Sequence, residues 1–196
     1  MSKTNGGNHQ NSAAEFTLTP EEIERLFAAA RNTRDELIVR VLYFGGIRRQ
    51  ELCNLDVSDV QLDRGRVVIR SGKGGKSRVV LLPDAMLDGL GKFIGKRRVG
   101  PLFRSERGNK RLSVRGVNHI VETIGERAGV TNPNPRLKHV NPHLLRHSFA
   151  RHYLAKGGDI RKLSQLLGHA NVAITHAVYG TASEEEMQDE YRRLMG

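Results

Sequence analysis

A mainly α-helical fold carrying a small antiparallel β-hairpin or sheet insert follows from three features of this chain. Apolar residues recur at helical spacing along most of its length, in runs opened by capping residues and closed by glycines. One stretch, from Val67 to Leu81, switches to β-rich runs around a glycine-rich turn. The 196 residues, with 38% apolar content, suit one domain with a modest core and a short tail.

The elements follow in order. Residues 1–16 are rich in Ser, Asn and Gly with little to pack, so they are expected to form a flexible tail, leaving 17–196 as the folded domain. Thr19-Pro20-Glu21-Glu22 supplies a cap, a first-turn proline and a capping-box glutamate, and Ile23, Leu26 and Phe27 form the stripe of the first helix. A second helix near 34–44 points Leu37, Ile38, Val41 and Leu42 inward and stops at Gly45-Gly46. Ile47 to Leu52 predicts a third, short helix. Val67-Val68-Ile69 and Arg78-Val79-Val80-Leu81, separated by Gly72, Gly74 and Gly75, read as a hairpin. Helices follow near 84–96 and 113–128. Asn141-Pro142 opens another, running to Lys156 before Gly157-Gly158. One more covers about 160–167 and ends at Gly168. A further helix is expected after Asn171, and Ser183 with Glu186 caps a last one carrying Met187, Tyr191 and Leu194.

Lys and Arg number 32 against 21 Asp and Glu, giving a formal charge of 32 − 21 = +11. That excess favours a polyanion, and without a basic amphipathic anchor the expected partner is nucleic acid rather than an acidic membrane. The single cysteine, Cys53, excludes an intrachain disulfide and a Cys-rich zinc module, and reads as a small buried hydrophobe. No apolar run approaches the roughly 20 residues that span a bilayer. The start has no apolar signal core, so a cytoplasmic location is expected.

Six residues stand out. Arg48 follows the Gly45-Gly46 break, where a helix start can present a side chain to a cleft; its neighbour Arg49 is an equal candidate by spacing. Lys73 sits at the hairpin tip in Ser71-Gly72-Lys73-Gly74-Gly75-Lys76-Ser77. That stretch imitates a phosphate-binding P-loop, but position 70 is arginine where the pattern wants glycine, and a strand follows instead of a helix, so no nucleotide is expected. His143 and Arg146, spaced i, i+3, share one helix face, and His143 lies in the first turn, where free N–H groups favour an anion. Leu145 and Phe149 form the opposite, core-facing stripe. His143 and His147 could also pair on a metal, yet no carboxylate lies between them and His152 is off the face, so three zinc ligands are not assembled. His169 follows Leu166-Leu167-Gly168 at a helix end, where it could meet a bound oxygen or simply cap the helix. Tyr179, in Ala177-Val178-Tyr179-Gly180, could act as a nucleophile if a positive field favours its phenolate. Tyr191 is the competing phenol, but it shares a stripe with Met187 and Leu194.

These residues resemble the catalytic domain of the tyrosine recombinase (phage integrase) family over about 17 to 191. Gly46-Ile47-Arg48 with Glu51-Leu52 is similar to its first arginine motif, and Gly72-Lys73-Gly74 to its hairpin-lysine motif. His143-Leu144-Leu145-Arg146-His147-Ser148-Phe149-Ala150 resembles the central histidine–arginine box, Leu166-Leu167-Gly168-His169 the next histidine box, and Tyr179 takes the nucleophile's place. The resemblance implies that Tyr179 attacks a scissile phosphate, giving a 3′-phosphotyrosyl bond and a free 5′-hydroxyl. Arg48 and Arg146 would hold the non-bridging oxygens, His169 would add a hydrogen bond, Lys73 would protonate the departing oxygen, and His143 would assist proton movement. No cofactor, metal or ATP is implied, because the covalent link conserves the bond energy.

Two departures accompany it. The family usually carries an N-terminal core-binding domain that closes around DNA, and a chain whose catalytic region starts near residue 17 is expected to lack it and to bind DNA more weakly. The His169-to-Tyr179 interval looks one residue longer than the family's usual spacing, worth about 100 degrees of helix rotation. The loop absorbs it, or the tyrosine is delivered to a neighbouring subunit, with the helix at about 184–195 as an assembly element. A DNA-binding module without cleavage and a relaxing topoisomerase are the competing readings; the nucleophilic phenol argues against the first, and only an assay separates the second.

Overall fold

Side-chain caps start five of the described helices and glycines end four of them. The computed structural model describes residues 16–70, 77–106, 110–168 and 184–196. The Thr19 hydroxyl accepts from the Glu22 N–H at 3.2 Å while the Glu22 carboxylate accepts from the Thr19 N–H at 2.8 Å. This reciprocal pair starts α1 (Pro20–Ala28), whose Ile23, Leu26 and Phe27 turn inward. The Asn32 side chain caps α2 (Thr33–Phe44) by accepting from the Asp35 N–H at 2.9 Å. Leu37, Ile38, Val39, Val41, Leu42 and Tyr43 are all buried, so α2 is covered on several sides and forms the centre of the molecule.

After α2 the chain turns at Gly46, whose φ is +53°. A β-carbon there would lie 2.7 Å from Leu167 Cδ2 and 2.8 Å from Phe149 Cδ1, so both the backbone angle and the space require glycine. The short α3 (Arg49–Asn54) follows, with Arg48 at its N-cap. β1 (Val60–Gln61), β2 (Arg66–Ile69) and β3 (Arg78–Leu81) make one antiparallel sheet in that order, with Val67 opposite Val80. Val67 and Ile69 point to the buried side, as period-two alternation demands. The β2–β3 pairing agrees with the sequence; β1 is an addition. Two residues between the 3-10 turns Val57–Asp59 and Leu62–Arg64 are too few to show alternation.

α4 (Asp84–Ile94) and α5 (Val114–Ala128, capped by Ser113) precede α6 (Pro142–Ala155) and α7 (Ile160–Leu167). The Asn141 side chain accepts from the Leu144 N–H at 3.0 Å, fixing the start of α6. α6 lays Leu145, Phe149 and Tyr153 against α2, the stripe its spacing implied. The helix expected after Asn171 and the Ser183 cap lie outside the described residues. The C-terminal helix (Glu184–Met195) buries Tyr191, Leu194 and Met195 against this same body. Tyr191 donates its hydroxyl to the Phe44 carbonyl at 2.9 Å, and Glu190 accepts from Tyr153 and Lys162, each at 2.7 Å. Among the described residues no helix is long and apolar enough to cross a membrane.

Candidate active site

Two helix junctions meet at one cleft. The Gly45-Gly46 turn delivers Arg48 and Arg49 and the Asn141 cap delivers His143 and Arg146, while the end of α7 supports Arg146 through the Leu167 carbonyl. Arg48, Arg49, Gln50, Asn141, His143 and Arg146 line a cleft of about 630 Å³. Positions almost a hundred residues apart in the chain thus face a common space onto which three arginines and a histidine open.

Arg146 is 7% exposed, unusual for arginine. Its guanidinium donates to the Gly46 carbonyl and, at 2.9 Å, to the Leu167 carbonyl, so the ends of α2 and α7 both hold it. Burial, with repulsion from Arg48 and Arg78, pulls its pKa down to about 10, against attraction from Glu51. It remains a cation at neutral pH, and among the described residues no carboxylate is hydrogen-bonded to it. A phosphate is the anion such a group can recruit.

Arg48 is held differently. Its side chain is 49% exposed and donates to Glu51 at 3.1 Å, while its backbone N–H donates to the same carboxylate at 2.7 Å. Glu51 also takes two bonds from the Arg78 guanidinium, both 2.7 Å. Burial alone would push Glu51 up, but the bonds from Arg78 and Arg48 outweigh it and hold the carboxyl at about 2. Arg49 leans toward α5, donating to Asn118 at 3.4 Å. Arg48 bears electrostatically on Arg146, and Arg49 on His143. Both arginines line the cleft, so spacing alone could not have separated them.

His143 is exposed in the first turn of α6. Desolvation against the cleft wall, with repulsion from His147, Arg146 and Arg49, holds its imidazole below the usual range. A neutral ring beside two guanidiniums can accept a proton. Among the described residues no group of three or more His, Cys, Asp or Glu side chains could hold a metal ion.

Of the six residues singled out in the sequence, the structure brings Arg48, His143 and Arg146 together. Lys73 falls in 71–76 and His169 and Tyr179 in 169–183, all outside the described residues. Tyr191 is 2% exposed and its hydroxyl is spent on Phe44, which fits its packing stripe. Sequence reasoning missed Arg78. Its signal was faint: an arginine opening an otherwise apolar strand.

A tyrosine recombinase named XerA from Thermococcus kodakarensis is 41% identical over 177 residues, covering 87% of this chain and 60% of that protein. The crystal structure of a XerA recombinase superposes with a TM-score of 0.70 at 35% identity, covering 92% of this chain and 65% of the other. A XerH site-specific recombinase, bound to a palindromic difH substrate in a post-cleavage complex, matches at 0.65 and 25% identity over 85% of this chain and 51% of that one. The chain spans about 60% of the length of the curated relatives it matches. The fold is that of tyrosine recombinase catalytic domains. With the phage integrase family model matching residues 17–186, across the cleft and both of its walls, the chain belongs to that family.

Proposed function

We propose that this chain is the catalytic domain of a site-specific DNA recombinase that cuts and rejoins strands through a 3′-phosphotyrosyl intermediate. The observation that carries the reading is the convergence of Arg48, Arg146 and His143 on one cleft. Arg146, fixed by two carbonyls, and Arg48, fixed by Glu51, offer guanidinium donors to the two non-bridging oxygens of a phosphodiester. Charge grows on those oxygens as phosphorus becomes five-coordinate, so preorganised cations favour the transition state over the ground state. Tyr179 would attack phosphorus, passing its proton toward the neutral His143. The 5′-oxygen would leave with a proton from Lys73, and His169 would donate to a non-bridging oxygen. Attack by a 5′-hydroxyl of the partner strand reverses the step and frees Tyr179. One phosphoester forms for each one broken, so neither ATP nor a metal ion has a required place.

Double-stranded DNA is the proposed partner, matching the +11 charge and the bound substrate of the XerH relative. Affinity should fall with salt with a log–log slope of about 0.9 per phosphate contact. We place the protein in the cytoplasm, and propose that the C-terminal helix takes part in self-association on DNA. Its contacts with α6 and α7 define the kind of surface a neighbour's helix would use.

The test is covalent capture. The protein is incubated with a library of nicked duplexes of randomised core sequence, and denaturant-resistant protein–DNA product is recovered. The wild type and Tyr191→Phe should both give product; Tyr179→Phe should give none. A Tyr179→Phe chain that still captures DNA removes Tyr179 from the nucleophile's place.

A further inference from the structure

Arg78 lies outside the six residues above, yet its guanidinium makes three hydrogen bonds to the site's framework. It opens β3, just after the segment that carries Lys73. Two of its nitrogens grip the Glu51 carboxylate at 2.7 Å each, and Nε donates to the Leu166 carbonyl at 3.0 Å. Glu51 in turn holds Arg48 through both its backbone N–H and its guanidinium. Leu166 lies three residues before His169, on the helix end whose next carbonyl, Leu167, binds Arg146. Arg78 therefore joins three separate segments: the hairpin strand, the Arg48 turn and the end of α7.

The close passage is built in. Gly168 has a φ of +64°, and a β-carbon there would come within 2.7 Å of Arg78 Cδ and 3.0 Å of its Nε. The side chain is 15% exposed, so it is shielded from solvent rather than offered to a ligand. A lysine could neutralise Glu51 but could not bond both carboxylate oxygens and Leu166 in one plane.

We infer that Arg78 is a positioning residue for strand cleavage: through Glu51 it aims Arg48, and through Leu166 it registers the α7 end against the hairpin. This rests on the cleavage reading. Without Arg78, Glu51 keeps Arg48 as its remaining bonded cation and draws that guanidinium out of the cleft. The phosphate would then lose one of its two clamps while the cleft's charge against DNA changes little.

The experiment uses the duplex captured by the wild type and measures three quantities for Arg78→Gln and Arg78→Lys: the rate of covalent product at saturating duplex, the duplex Kd, and the melting temperature. Arg78→Gln should slow product formation on the order of 100-fold, the scale of an ångström-sized misplacement, with Kd within about threefold of wild type. Arg78→Lys should recover part of the rate. Glu51→Gln added to Arg78→Gln should slow it by less than the product of the two single effects, because the two share the Arg78–Glu51 contact. An unchanged rate for Arg78→Gln overturns the inference. A loss shared equally by rate, Kd and melting temperature overturns it too, by making Arg78 a fold residue. If the wild type captures no duplex from the library, the cleavage reading falls and this inference falls with it; capture by the wild type with an unaffected Arg78→Gln sinks this inference alone.

Discussion

Arg146 and Arg48 line the same cleft from two different helix starts, yet the fold treats them in contrary ways. Arg146 is buried, bonded to backbone carbonyls, and crowded by Arg48 and Arg78. Arg48 is half exposed and sits on a carboxylate that is itself clamped by Arg78. One cation is placed by the ends of two helices, the other by an ion-pair network. The buried wall has fixed geometry but an unfavourable charge. The exposed wall has partly compensated charge, two guanidiniums on one carboxylate, and a geometry that depends on Glu51.

The sharpest way to break this contrast is Arg146→Met. It should reduce covalent product by at least about 10²–10³-fold, the scale of losing one donor to a developing oxyanion. Stability should change by only about 1 kcal/mol, since relief of a crowded, desolvated cation offsets two lost carbonyl bonds. A thermal melt checks it: a loss above about 3 kcal/mol would mean that the carbonyl tethers dominate.

Acid should find the other wall. Glu51 has a folded pKa of about 2 against an ordinary 4.5, so the unfolded chain binds its proton first. A depressed carboxylate contributes stability that is present above pH 4.5 and lost as pH falls toward 2. The contribution is on the order of 3 kcal/mol, and denaturant melts across that window should show it. Glu51→Gln should flatten that part of the curve; an unaltered slope would place the acid sensitivity elsewhere.

The smallest effect belongs to Tyr191→Phe. Its hydroxyl bonds the Phe44 carbonyl, two residues from the Gly46 carbonyl that receives Arg146. Removing it should cost about 1 kcal/mol, read as a lowered melting midpoint, with covalent product retained. A collapse of product would show that the C-terminal helix braces the buried wall more directly than its distance along the chain implies.

Which parts of this arrangement were readable in advance follows from the range of the forces involved. Thr19 with Glu22, and Asn141 with Pro142, announce helix starts because the groups that bond lie within three residues. His143 and Arg146 share a face for the same reason. Arg78 contacts Glu51 27 positions away and Leu166 88 away, and no local period encodes either distance. β1 escaped because a two-residue strand has no alternation to detect. The burial of Arg146 was equally hidden, since arginine in an amphipathic helix ordinarily reads as a solvated group.

Gly46 ties these scales together. Its missing side chain lets Phe149 and Leu167 close over the turn, and its carbonyl oxygen receives the Arg146 guanidinium. Interior packing and the seating of a cleft cation thus hinge on a single backbone unit. A methyl added there would not merely loosen the hydrophobic interior: by prising α6 and α7 from that turn, it would unseat the Arg146 guanidinium as well.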